Sequence, residues 1–196
     1  MLLWEAIERE PDKLAARAAA TSLEHIALLL DTAAQQQHNT TPLWEAIERE
    51  PDKLAARVWE TSLGQLASFF DAAKRHQRNT APLWDAIERE PDKLAARAWK
   101  TSLHLVASFL DTARRHQRNT APLCTALENK PEHLVSMAQQ SSALGLAAFC
   151  HHAPLALIKI VLARLPGDHW DKLPSSESLA VRPGWRLGVP KLDARI

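Results

Sequence analysis

The chain has 196 residues, 46% of them hydrophobic and 24% charged, which is enough for a real core and too ordinary for a disordered or polybasic protein. A formal net charge of +1 excludes a polycation that coats nucleic acid or anionic membrane whatever the sequence. Two cysteines exclude a disulfide framework, and no run of 18 apolar residues offers a membrane span. The first residues, MLLWEAIERE, turn charged at Glu5, unlike a signal peptide. The expectation is a cytoplasmic protein, or one delivered into a host cell by a signal-less route.

Twelve prolines against five glycines, and seven tryptophans with no tyrosine, point to copying of a short unit. At a shift of 40 the chain falls into register on itself. LLWEAIEREPDKLAAR from Leu2 returns as PLWEAIEREPDKLAAR from Pro42, PLWDAIEREPDKLAAR from Pro82 and PLCTALENKPEHLVSM from Pro122. The units are 2–41, 42–81, 82–121 and a shortened 122–153. Because Leu2 follows directly on Met1 at a unit boundary, the chain reads as a truncated gene or a fragment of a longer array.

In the second unit, Thr41 is the expected cap and Pro42 the first position of a short helix. Leu43, Trp44, Ala46 and Ile47 form its apolar stripe. Pro51 interrupts, so Asp52–Glu60 is a second helix or the far side of a kink, giving two to three helices per unit. Ser62 caps a longer helix with Leu63, Leu66, Ala67, Phe70 and Ala73 on one face, ending at Arg78-Asn79. Pro11, Pro51, Pro91 and Pro131 share one place in the unit, which favours three helices. Beyond 153, residues 154–165 carry LALIKIVLARL, apolar nearly all round and expected to be a buried capping helix. Residues 166–196, rich in Pro and Gly, are expected to form an irregular tail packed on the last unit.

Such a unit buries its apolar face only against neighbours. The predicted fold is all-α, a right-handed α-solenoid of about four tandem 40-residue units. Exposed ends of such an array favour end-to-end homo-oligomers. The kinked first helix resembles armadillo repeats, and a single bent one would resemble HEAT repeats. The stretch RVWETSLGQLASFFDAA from Arg57 resembles the octotricopeptide-type repeats of organellar RNA-binding proteins and helical repeats of some bacterial effectors. That resemblance implies a helical-repeat binder, with RNA as a ligand class.

No Ser/His/Asp grouping, glycine-rich phosphate loop or metal-ligand spacing is present, so the expectation is a non-enzymatic scaffold without cofactor or metal. Cys124 replaces Trp44 and Trp84, and Cys150 replaces Phe70 and Leu110, so both read as small core residues. A thiol or metal role for Cys150, His151 and His152 is the weaker alternative. His76 and His116, at helix ends, read as dipole partners. Trp44 and Trp84 read as core. Trp59 and Trp99 align with Ala19 and Gln139, so they either pack between central units or stand out to anchor a partner or stack a base.

Nearly identical units two and three differ at Glu60/Lys100, Gly64/His104 and Gln65/Leu105, positions that would line a recognition face or drift on an exposed surface. Lys74, Arg75, Arg78, Arg114, Arg115 and Arg118 would form a basic ridge able to track phosphates. Net charge nevertheless runs from −3 in 2–41 to +3 in 154–196, a mixed pattern. It favours a protein partner on an extended concave surface, with single-stranded RNA as the alternative.

Overall fold

The computed structural model describes residues 22–165, apart from Glu50 and several side chains between 42 and 53, together with Glu10, Lys13 and Ala16. The tail expected over 166–196 lies outside the described residues, as do the first two helices expected in unit one. Within the described residues the protein is all-α, with no strand. Its helices are α1 (Leu23–Gln35), α2 (Thr41–Glu48), α3 (Pro51–Val58), α4 (Leu63–Arg75), α5 (Ala81–Glu88) and α6 (Pro91–Ala98). They continue as α7 (Leu103–Arg115), α8 (Ala121–Glu128), α9 (Pro131–Gln140), α10 (Ala143–His152) and α11 (Leu155–Arg164).

The prolines divide short helices rather than bend them. Glu90 and Lys130 stand outside helical geometry, at φ −127°, ψ 59° and φ −129°, ψ 63°, and a new helix starts on the following proline. Steric conflict between a proline ring and the preceding residue drives that break. Each stretch 41–75, 81–115 and 121–152 therefore holds three helices.

Ser22, Ser62 and Ser142 cap the long helices through their hydroxyls, and Ser62 forms a reciprocal box with Gln65. Two boundaries differ from expectation. Thr41 is the first residue of α2 rather than its cap, and the side-chain oxygen of Asn39 accepts its N–H at 3.0 Å. Asn79 and Asn119 do the same for Ala81 and Ala121. The long helices also stop three residues early, at Arg75 rather than Arg78. Gln37, Gln77 and Gln117 take left-handed φ of 60°, 55° and 56°. Each such turn returns two N–H groups to the helix end, as when Gln77 donates to Lys74 O and Arg78 to Ala73 O.

Long helices pack in succession, α1 on α4, α4 on α7 and α7 on α10. Short helices pack across the units, α3 with α5, α6 with α8 and α9 with α11. Trp84 sits in the middle of the core, stacked on Phe70 at 3.9 Å between centroids and tilted 5.6 Å from Phe109. Trp44 and Trp84 are both buried, as expected. Their polar edges differ, because Trp44 Nε1 donates to Glu48 whereas Trp84 Nε1 is buried without a protein partner. Helix α11 occupies the place of the next unit's first helix. It buries Leu157, Ile158 and Val161 but leaves Leu155 and Leu162 exposed, so it is covered on one face rather than all round.

Candidate functional site

The exposed side of the long-helix row is the surface on which most of the sequence candidates meet. Those that distinguish units two and three lie in the seams between long helices. A Cβ on Gly64 would come within 2.6 Å of Leu105 Cδ2, and one on Gly145 within 3.5 Å of His104 Cβ. Gln65 Nε2 donates to Glu24 of α1. The same pair of positions thus meets at every seam as Glu24 with Gln65, Gly64 with Leu105 and His104 with Gly145. Gly64, Gln65 and Leu105 thus lie against the adjoining long helix. Glu60 pairs with Arg57 of its own turn, and Lys100 is exposed.

The basic ridge is largely tied down by three aspartates, Asp31, Asp71 and Asp111. Arg75 Nη2 donates to Asp31 Oδ2 at 2.7 Å, and His76 Nε2 lies 3.0 Å from Asp31 Oδ1. One unit on, Arg115 reaches Asp71 through two donors at 2.8 and 2.9 Å. Asp111 then takes Arg114 and Arg115 from its own helix and His152 Nδ1 at 2.9 Å from α10. Arg118 pairs with Asp85 at 3.3 Å. These aspartates were not singled out from the sequence, although each lies on the 40-residue spacing and the arginines of α4 and α7 follow 44 residues after Asp31 and Asp71.

Lys74 and Arg78 differ from the rest of the ridge. Among the described residues neither meets a carboxylate. Lys74 Nζ donates to the Arg115 carbonyl at 2.6 Å, and Arg78 Nη2 donates to the hydroxyls of Thr40 and Thr41 at 2.7 and 3.1 Å. Both line a polar hollow of about 240 Å3 between α4 and α7, with Gln77, Thr80, Arg115, His116 and Gln117.

Electrostatics follow this wiring. Burial acts to raise the Asp31 carboxyl but is outweighed by the His76 and Arg75 hydrogen bonds and their charges, so its pKa is lowered. Asp111 is likewise lowered, burial being outweighed by His152, Arg114 and Arg115. His116 has its pKa depressed, first by burial and then by the charge of Lys74, with Asp71 opposing.

Trp59 and Trp99 are half-buried against the core rather than free-standing. Lys93 Nζ lies 5.6 Å from the Trp59 ring centroid, and the His133 ring lies 5.6 Å from that of Trp99. The two tryptophans directly follow the short helices α3 and α6. Burial raises the thiol pKa of Cys124 and pushes that of Cys150 up to about 11, which suits core residues. Among the described residues no group of three or more His, Cys, Asp or Glu could hold a metal ion, and no helix is long and apolar enough to cross a membrane.

No family model, curated protein or solved structure matches the chain. Neither the armadillo/HEAT likeness nor the octotricopeptide likeness has a match behind it.

Proposed function

We propose that this chain is a non-enzymatic α-solenoid scaffold of four 40-residue units that binds a protein on the exposed face of its long helices. The observation that carries this reading is the row α1, α4, α7 and α10, whose outward residues mix Leu28, Ser68, His104 and Leu144 with cations held by aspartates. Leu28 and Leu144 are 62% and 79% exposed, and apolar contacts flanking a polar centre suit a protein interface. Single-stranded RNA is the less supported ligand. Four of the six ridge cations are engaged by carboxylates, and Trp59 and Trp99 are already covered in part by Lys93 and His133.

Photo-crosslinking residues at Ser68 and His104, in extract, test the reading, with exposed Ala96 on α6 as the control position. Discrete adducts from Ser68 and His104 that survive nuclease are expected. Nuclease-sensitive adducts, or equal labelling from Ala96, would sink it.

A further inference from the structure

The hollow between α4 and α7 has chemistry that the pairing of the ridge does not use. Lys74 and Arg78 enter it from one unit and Arg115 and His116 from the next. Among the described residues, the charges of Lys74 and Arg78 are met by a carbonyl and two hydroxyls. Two ammonium protons of Lys74 remain for another acceptor. Inside the protein, Arg78 Nε and His116 Nε2 are buried without a hydrogen-bond partner. The His116 side chain is only 8% exposed, and Asp71 Oδ1 at 3.7 Å is beyond hydrogen-bonding reach. Of the two, Arg78 Nε always carries a proton, and a buried guanidinium N–H is rarely left unsatisfied. The hollow is open to solvent and, at about 240 Å3, has room for a tetrahedral oxyanion that keeps part of its hydration.

Among the described residues this set of groups does not recur at the neighbouring seams. At the seam before it, Ala34 and His38 stand where Lys74 and Arg78 stand, and at the seam after it Leu155 and Ala156 follow where Arg115 and His116 would recur. A polyanion tracked along the array would need the site repeated. It would also run past Asp31, Asp71 and Asp111 on the same ridge. One isolated anion meets neither obstacle.

We infer that the hollow is a receptor site for one phosphoryl group, carried on a phosphorylated side chain of the protein partner, with Lys74 and Arg78 as its principal donors. This rests on the protein-binding reading above and names the chemistry the partner presents. His116 reports occupancy, because an anion beside it favours the imidazolium form and raises its depressed pKa.

The experiment follows the His116 ring by NMR across pH in the full chain, with inorganic phosphate, N-acetyl-phosphoserine amide, N-acetyl-serine amide and oligouridine as separate probes. Chloride at matched ionic strength is the control. Phosphate and the phosphoserine amide should both raise the His116 midpoint saturably, while chloride and the serine amide leave it in place. Lys74→Gln and Arg78→Gln should each weaken phosphate binding about tenfold, the scale of one lost charge-assisted hydrogen bond, whereas Arg118→Gln leaves it unchanged. Because Arg78 also braces Thr40 and Thr41, Lys74→Gln is the decisive variant. A response equal in chloride, or phosphate binding untouched in Lys74→Gln, overturns the site. Binding of oligouridine in preference to the phosphoserine amide overturns the choice of occupant. If the site fails while nuclease-resistant crosslinks at Ser68 and His104 persist, the scaffold reading stands without it.

Discussion

Arg115 grips Asp71 across the seam between α4 and α7 as a fork, Nη1 to Oδ1 at 2.8 Å and Nη2 to Oδ2 at 2.9 Å. A planar guanidinium matches a carboxylate in this way and an ammonium does not. Arg115→Lys should therefore cost about 0.5–1 kcal/mol despite keeping the charge, the range for partly exposed pairs. Asp71→Ala should cost a similar amount, and the double variant less than the two single losses together. Urea midpoints of the four proteins check this, and strict additivity would remove the fork from the account of the seam.

The same seams make stability depend on pH. His116 has a folded-state pKa below its ordinary 6.5, so the unfolded chain binds a proton more readily. Its contribution is complete above about 6.5 and is lost as pH falls through the lower folded value. Asp71, Lys74 and Arg115 face it, and burial is the largest cause. His116→Gln should flatten the fall in urea midpoint between pH 7.5 and 5. Asp31 and Asp111, lowered in the folded state, contribute above about 3.9 and lose that contribution at more acid pH. Asp31→Asn and Asp111→Asn should thus weaken the protein at pH 7 and converge with the parent near pH 2.

Gly64 and Leu105 test how closely neighbouring units are matched. An added Cβ at Gly64 meets the flexible end of Leu105, half-buried and able to turn. The gain in helix propensity, up to about 1 kcal/mol, offsets that adjustment, so Gly64→Ala should be near neutral. Gly64→Leu cannot be accommodated so easily and should cost about 1–3 kcal/mol. Leu105→Ala in the same chain should restore part of the loss. Thermal and urea melts of the set decide it, and no rescue would mean that the two positions do not share one space.

Gln37, with φ 60°, sits where a side chain costs about 1 kcal/mol and glycine costs none. Greater freedom of glycine in the unfolded chain takes back part of the gain. Gln37→Gly should raise stability by about 0.5 kcal/mol, and the β-branched Gln37→Val should lower it by more. A melting temperature that falls in the glycine variant would contradict the strain at this turn.

Much of the helical layout was legible before any coordinates. The recurring prolines divide the short helices, and Ser62 starts its long one, because each acts through its own backbone and its immediate neighbours. The errors also have local causes. The turns after the long helices contain no glycine, yet Gln37, Gln77 and Gln117 take the left-handed conformation there, and at the start of α2 the Asn39 side chain accepts the N–H of Thr41, the expected cap.

The candidate face was harder to read. Arg75 and Arg115 looked like a free ridge, since their partners Asp31 and Asp71 lie 44 residues earlier and the packing of one long helix on the next joins them. Gly64 and Leu105 looked like surface drift for the same reason.

Periodicity and capping act over three or four residues, so the unit, its three helices and the many-proline, no-tyrosine composition could all be traced from the chain itself. Salt-bridge partners, the fit of Gly64 to Leu105 and the hollow holding Lys74, Arg78 and His116 are properties of the seam. They arise only when two surfaces forty residues apart are packed together, and among the described residues that packing leaves Lys74 and Arg78 as the two ridge cations without a carboxylate.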